Sequence, residues 1–342
     1  MRAMRAAWVF FAAARLCGGS EAPSAAALAS AGAAFRRDGL AVLEGFADSV
    51  EVAAMKARMA ELRASHDASA AEAHVFVTDE RQGAQQAKSA HFFESAAQTS
   101  FFYEDDGETL NKCGHGLHLA DDAFGRYSAS PAIRTLLGAF GLEDPVLPQS
   151  MYIFKEAVRG GAVTSHQDAT FLHTKPAQTV VGLWLALDDA TLENGCLWAR
   201  NGSHAEPIRR TFVRAPGEQY KMVFEETGAA PAPADYLDGR LLDAARRLGP
   251  KDAAAWEGKN VDAAAALKNG FVPLPVKAGT LVAFAGTLDH LSLPNESPHD
   301  RHTFQLHAVE GPGAGMEWSD SNWLQYTDKA PFPRLADRGR EL

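Results

Sequence analysis

The chain has 342 residues, 46% hydrophobic and 22% charged, which is enough apolar material for one large folded domain and unlike a disordered protein. Its formal charge of −10 argues against a general nucleic-acid or anionic-membrane surface, since both need a net basic footprint. Three widely spaced cysteines, Cys17, Cys113 and Cys196, have no C-x-x-C spacing and an odd count, so reduced thiols are expected rather than a disulfide framework or a zinc knuckle.

Residues 1–20 stand apart: Arg2 and Arg5, an apolar run from Ala6 to Ala14, then Arg15-Leu16-Cys17-Gly18-Gly19. The stretch reads either as a short signal peptide or as an Arg/Ala-rich organelle transit segment, which leaves the compartment open between the cytoplasm and an organelle. The run is too short to span a bilayer, and nothing later approaches eighteen consecutive apolar residues, so no transmembrane segment is expected. The ending Gly339-Arg340-Glu341-Leu342 echoes an ER-retention tail too faintly to be read as one.

From Ala25 to about His74 the pattern is helical. Ala31 to Asp38 closes at Gly39, and Asp48-Ser49-Val50-Glu51 has the spacing of a capping box ahead of Val52, Met55, Met59 and Leu62. Those four form one apolar stripe, suited to packing on the outer face of a β core. Between His74 and Tyr103 polar and aromatic residues mix without period, which predicts loops and edge strands near a substrate entrance. Asn111 to His118 carries His115 and His118 in a loop-like, glycine-interrupted setting that suits structural support better than metal binding. Lys112 in the same stretch reads either as a solvated amine or as a holder of a carboxylate. A helix is predicted from Ser130 to Phe140, stopping at Gly141, then a strand from Gln149 to Lys155 that leads through Gly160-Gly161 to His166.

His166-Gln167-Asp168 is the chemical centre of the sequence. Side chains at i and i+2 of an extended strand share a face, so both can reach one ion. The best third ligand is His290, just past the apolar run ending at Phe284-Ala285, with Arg301 eleven residues further on. Two imidazoles and a carboxylate with open positions beside them are the facial triad of non-haem Fe(II) oxygenases. With 12 His and 43 acidic residues such a spacing also arises by chance. Its setting gives it weight: the strand-like run Val180 to Leu187 follows, and the turns Glu193-Asn194-Gly195 and Asn201-Gly202-Ser203-His204 come next. Short strands alternating with tight turns predict a mainly β fold with flanking helices, a small jelly roll.

Three segments together, Ser150-Met151-Tyr152-Ile153-Phe154-Lys155, His166-Gln167-Asp168-Ala169 and Asp189-Ala190-Thr191-Leu192-Glu193-Asn194-Gly195-Cys196-Leu197-Trp198, closely resemble the phytanoyl-CoA dioxygenase family. The likeness runs from about Lys112 to the C-terminus, taking in Asn322-Trp323-Leu324-Gln325 and Ala330-Pro331-Phe332-Pro333. It implies a double-stranded β-helix, cupin-like, that binds Fe(II) and 2-oxoglutarate and uses O2. On this resemblance His166, Asp168 and His290 are the metal ligands and Arg301 clamps the distal carboxylate of 2-oxoglutarate, a task suited to its bidentate fork. Lys112 and Ser292 would supply donors to the co-substrate pocket, and Met151 and Trp184 its apolar walls. Read without the resemblance, those four are a surface amine, a turn hydroxyl, a core thioether and a core indole.

The aspartate among the ligands favours hydroxylation, because related halogenases of this fold carry a small residue there to admit halide. The expected substrate is a small organic or lipid-derived molecule. An acyl-CoA-specific hydroxylase is an alternative, with Arg209, Arg210 and Arg214 either facing a CoA phosphate or lying on a solvated strand edge. A non-catalytic 2-oxoglutarate-binding protein and a zinc-bound, cupin-like isomerase or hydrolase are the others. The sequence departs from the family pattern in its leader and in an apparent insertion at 217–276, alanine-rich with a helix-like Asp235 to Leu248, inside a catalytic domain expected to run over 25–342.

Overall fold

The computed structural model describes residues 23–66, 74–76, 90–200, 202–218, 221–229 and 269–325, together with 14–15 and the single positions 263, 266, 267, 332 and 335. The rest of the leader, the helix-like 235–248 stretch of the insertion, and the C-terminal four residues lie outside these. No helix among the described residues is long and apolar enough to cross a membrane.

Two helices open the domain, α1 (Ala25–Asp38) and α2 (Ser49–Ser65). Gly39 ends the first in the left-handed conformation that glycine adopts without a Cβ penalty. Both halves of the Asp48/Glu51 capping box are made, so the predicted start of α2 stands. The continuous helical reading of this region is corrected by the strand β2 (Leu40–Glu44), which lies between the helices and pairs with a strand over 200 residues away. Tertiary pairing decides this short apolar run, for which local periodicity carries no helix-or-strand signal.

The remaining strands are β1 (Ala14–Arg15), β3 (Thr99–Tyr103), β4 (Leu110–His115), β5 (Pro145–Ile153), β6 (Val163–His166), β7 (Thr174–Lys175), β8 (Val181–Ala186) and β9 (Leu197–Arg200). They continue as β10 (Arg210–Arg214), β11 (Met222–Glu226), β12 (Phe271–Leu274), β13 (Leu281–Ala285), β14 (His290–Ser292), β15 (Thr303–Glu310) and β16 (Glu317–Trp318). The large sheet has the order β1-β2-β13-β8-β15-β5-β4-β3 and the small one β12-β9-β14-β6, with two-stranded pairs β10-β11 and β16-β7 beside them. The β4 stretch was expected as a loop. It is a strand because Gly114 lets it lie close to β5, where an added Cβ would come within 3.1 Å of Met151 Cγ. Ala90–Glu94 is likewise a short helix, α3, where loop or edge strand was expected.

The core follows from strand alternation. On β8, Leu183 and Leu185 face out of the barrel and pack with Met55, Met59, Leu136 and Leu137 of the covering helices. Trp184 and Ala186 face inward and join Trp198, Phe271, Val282, Phe284 and Leu291 between the two sheets. The helix predicted from Ser130 forms as Pro131–Phe140, capped by the Ser130 hydroxyl and ended at Gly141, and it contributes Ile133, Leu136 and Leu137 to the outer layer. Cys113 and Cys196 are buried free thiols.

Candidate active site

A cavity of about 150 Å³ opens between the two sheets. The small sheet brings the histidines to it. His290, first residue of β14, stands directly across the ladder from His166, last residue of β6. Asp168 is not on that strand, although the i, i+2 spacing predicts that it is. It begins a 3-10 turn over Asp168–Thr170, which swings its carboxylate back toward His166. Asp168 Oδ1 lies 3.4 Å from His166 Nε2 and 3.7 Å from His290 Nε2. The three donor atoms fall within 4.8 Å of one another.

The tautomers suit a cation. His166 Nδ1 bonds the Thr164 carbonyl at 2.8 Å and His290 Nδ1 the Leu288 carbonyl at 3.1 Å. A carbonyl only accepts, so each Nδ1 carries a proton and Nε2 is the nitrogen that each ring turns toward the cavity and that would ligate a cation. Burial opposes ionisation of Asp168, but the imidazoles of His307, His290 and His166 outweigh it and hold the carboxyl well below its ordinary range. Burial and the neighbouring His166 ring push His290 down to about 4, so it stays a neutral donor. Behind it, Asp289 is fully buried between Arg200 and Arg209, which fixes the turn that carries His290.

Room for the carboxylate comes from Gly182 on β8, where an added Cβ would lie 2.9 Å from Asp168 Oδ2 and against the Phe284 ring. That oxygen accepts a 3.0 Å hydrogen bond from His307 Nε2 on β15. His307 went unread in the sequence, though a signal existed: Thr303, Gln305 and His307 alternate with Phe304, Leu306 and Ala308, a polar face on a buried strand.

The large sheet supplies the opposite wall. Met151, Gln305 and Trp184 stand in register across β5, β15 and β8 and, with Lys112 of β4, line the same cavity, as do Ser292 and Arg301. Lys112 is buried, with its ammonium 3.0 Å from the Phe76 ring centre and 3.7 Å from Met151 Sδ. Burial pushes it well below the ordinary lysine range. Arg301 is 2% exposed; it donates to the Gly195 carbonyl at 2.7 Å and lies over Trp184 at 5.4 Å, while its Nε has no partner. Burial brings it down to about 10. Lys155, which the sequence placed only within a strand, also reaches the cavity.

Other expectations resolve differently. His115 bonds Ser95, and His118 bonds Ser150 and the Leu147 carbonyl, so both are used structurally, although His115 also touches the cavity. The three arginines do not form one patch. Arg209 is buried against Asp289, Arg214 donates to the Asn322 and Trp323 carbonyls, and Arg210 lines the cavity over Phe224. Phe76, Phe92, Phe171, Phe212 and Trp323 complete an aromatic mouth.

A family model described as phytanoyl-CoA dioxygenase matches residues 35–303, reaching much further toward the N-terminus than the motifs that suggested it. A curated relative, phytanoyl-CoA dioxygenase domain-containing protein 1 of Mus musculus, is 37% identical over 314 residues, covering 88% of this chain and 96% of its own length. Phytanoyl-CoA dioxygenase of Arabidopsis thaliana is 35% identical over 311 residues, covering 87% and 93%. Among solved structures, the epimerase SnoN in complex with Fe3+, alpha-ketoglutarate and a nogalamycin superposes with a TM-score of 0.55 at 18% identity, over 91% of this chain and 100% of its own. EctD from S. alaskensis with bound Fe gives 0.54 at 18% identity, over 93% and 89%. At such identity these two likenesses speak for the double-stranded β-helix fold.

Proposed function

We propose, from the premise that the chain belongs to the phytanoyl-CoA dioxygenase family, that this cavity is the active centre of an Fe(II)- and 2-oxoglutarate-dependent dioxygenase that hydroxylates a small organic or lipid-derived molecule. The observation that carries the reading is the convergence of the His166, Asp168 and His290 donors on one cavity with a buried Arg301 that has no anionic partner among the described residues. His166, Asp168 and His290 would hold the metal on one face, and Arg301 with Ser292 the distal carboxylate of 2-oxoglutarate. When bound, the iron supplies activation of O2 coupled to decarboxylation of 2-oxoglutarate, giving succinate and CO2 and placing the second oxygen atom in a substrate C–H bond.

The chain's own part is positioning and exclusion. Nδ1–H bonds to two carbonyls keep the imidazoles oriented. Trp184 and Met151 wall the co-substrate, Lys112 offers it a further donor, and the aromatic mouth keeps water from the oxidant. Asp168 fills the position that a halide would need, which favours hydroxylation. Since Arg209 and Arg214 are engaged inside the protein, only Arg210 of that basic trio faces the cavity, and the broader substrate class is preferred to an acyl-CoA-specific one.

The test is succinate formation by purified protein given Fe(II), ascorbate, O2 and 2-oxoglutarate, with and without candidate substrates. Turnover is expected to vanish in His166→Ala, Asp168→Ala and His290→Ala, and in Arg301→Ala to demand more 2-oxoglutarate. Full activity in Asp168→Ala would sink the triad. A natural protein that fails to bind 2-oxoglutarate by calorimetry would point instead to a zinc-bound, cupin-like enzyme.

A further inference from the structure

We propose that Lys155 is a second cation for the distal carboxylate of 2-oxoglutarate, acting with Arg301; this rests on the co-substrate reading above. Lys155 is 3% exposed and its ammonium reaches into the cavity, 3.1 Å from Ser292 Oγ and 2.6 Å from the Gly161 carbonyl. Two of its three N–H bonds are accounted for in this way, and the third is left for a ligand. No carboxylate lies within ion-pair distance of it among the described residues. The nearest acid, Glu104, lines the same cavity but accepts instead from the Gly161 amide at 3.0 Å.

The chain goes to some length to put the ammonium there. Lys155 has φ 39°, in the left-handed region that a side chain-bearing residue seldom occupies, and such outliers gather at functional sites. Its stem passes over Gly195, where any Cβ would overlap Lys155 Cε, and that same glycine lends its carbonyl to Arg301. The Lys155 carbonyl in turn accepts the backbone N–H of Arg301 at 3.1 Å and Asn295 Nδ2 at 2.9 Å. Two buried cations are therefore tied to one another through backbone and through one glycine, facing a shared cavity. Burial and the Arg301 charge push Lys155 well below the ordinary lysine range, and Glu104, beyond ion-pair distance, offsets this only in part, so the arrangement is suited to an anion that restores the charge of the ammonium. A methionine would fill the space without the cost of burial.

The decisive comparison is anaerobic calorimetry on the Mn(II)-loaded protein with two ligands, 2-oxoglutarate and 2-oxopentanoate, the second carrying a methyl in place of the distal carboxylate. Lys155→Gln removes the charge but keeps donors for the Gly161 carbonyl and the Ser292 hydroxyl, and Lys155→Arg keeps the charge. Lys155→Gln is expected to weaken 2-oxoglutarate binding by about 10-fold or more while leaving 2-oxopentanoate within about 2-fold, and Lys155→Arg to restore much of the loss. Equal weakening of both ligands would make Lys155 a structural tether, and unchanged 2-oxoglutarate affinity would remove it from the site; either result overturns the proposal. If the natural protein binds neither ligand, the co-substrate reading falls and this inference with it.

Discussion

His307 and Gly182 act on one oxygen atom. Asp168 Oδ1 faces the two histidines, while Oδ2 sits over Gly182 and accepts from His307. A carboxylate only accepts, so His307 Nε2 bears the proton of that bond. Partners of this kind behind a metal ligand are worth roughly 10–100-fold in metal affinity. His307→Ala is accordingly expected to weaken Co(II) or Mn(II) binding by that factor, read by direct titration, and to lower the unfolding midpoint of metal-free protein as well, because it leaves a buried carboxylate without its partner. Gly182→Ala should do more, because its methyl displaces the carboxylate itself. Near-normal metal affinity in Gly182→Ala would show that the neighbouring sheet gives way. The alternation on β15 marks His307 as part of a polar face, but nothing in the sequence joins it to Asp168: the two are 139 positions apart and meet only in the folded barrel.

At the scale of elements, what could be read is what local chemistry dictates. The cap of α2, the glycine stops at Gly39 and Gly141 and the apolar run of β8 are each specified within a few residues, and each forms as expected. β2 and β4 were not legible, because a five- or six-residue run becomes a strand only when a partner arrives from far along the chain. For the candidate site, spacing and resemblance name His166, Asp168, His290 and Arg301, which the fold brings to one cavity, but neither the 3-10 turn that delivers Asp168 nor Lys155 as a cavity residue was legible. The local rule also makes a prediction. Asp48→Ala removes the cap of α2 and should cost about 1 kcal/mol in urea unfolding. Affinity for 2-oxoglutarate should be untouched, since α2 packs on the face of the large sheet away from the cavity.

Across the whole molecule the cavity belongs to both sheets, with His166 and His290 on the small one and Lys112, Met151, Trp184 and His307 on the large. A ligand seated there binds the closed barrel and not the open chain. With Mn(II) present and 2-oxoglutarate at 100 times its dissociation constant, stability should rise by about 2.7 kcal/mol, seen as a higher unfolding midpoint. Arg301→Ala should lose most of that gain at the same concentration. The pairing of His290 against His166 also sets an order of events during synthesis. A ribosome that has made β6 has made half a site, and nothing nearby in the chain completes it. On the proposed ligand set, the growing chain would lack its third ligand until β14 has emerged and laid itself beside β6, and β15 would have to follow before His307 could hold Asp168. Loading would then fall after the barrel has closed, which would spare the unfinished chain an exposed redox metal and make metal uptake a late report of correct folding.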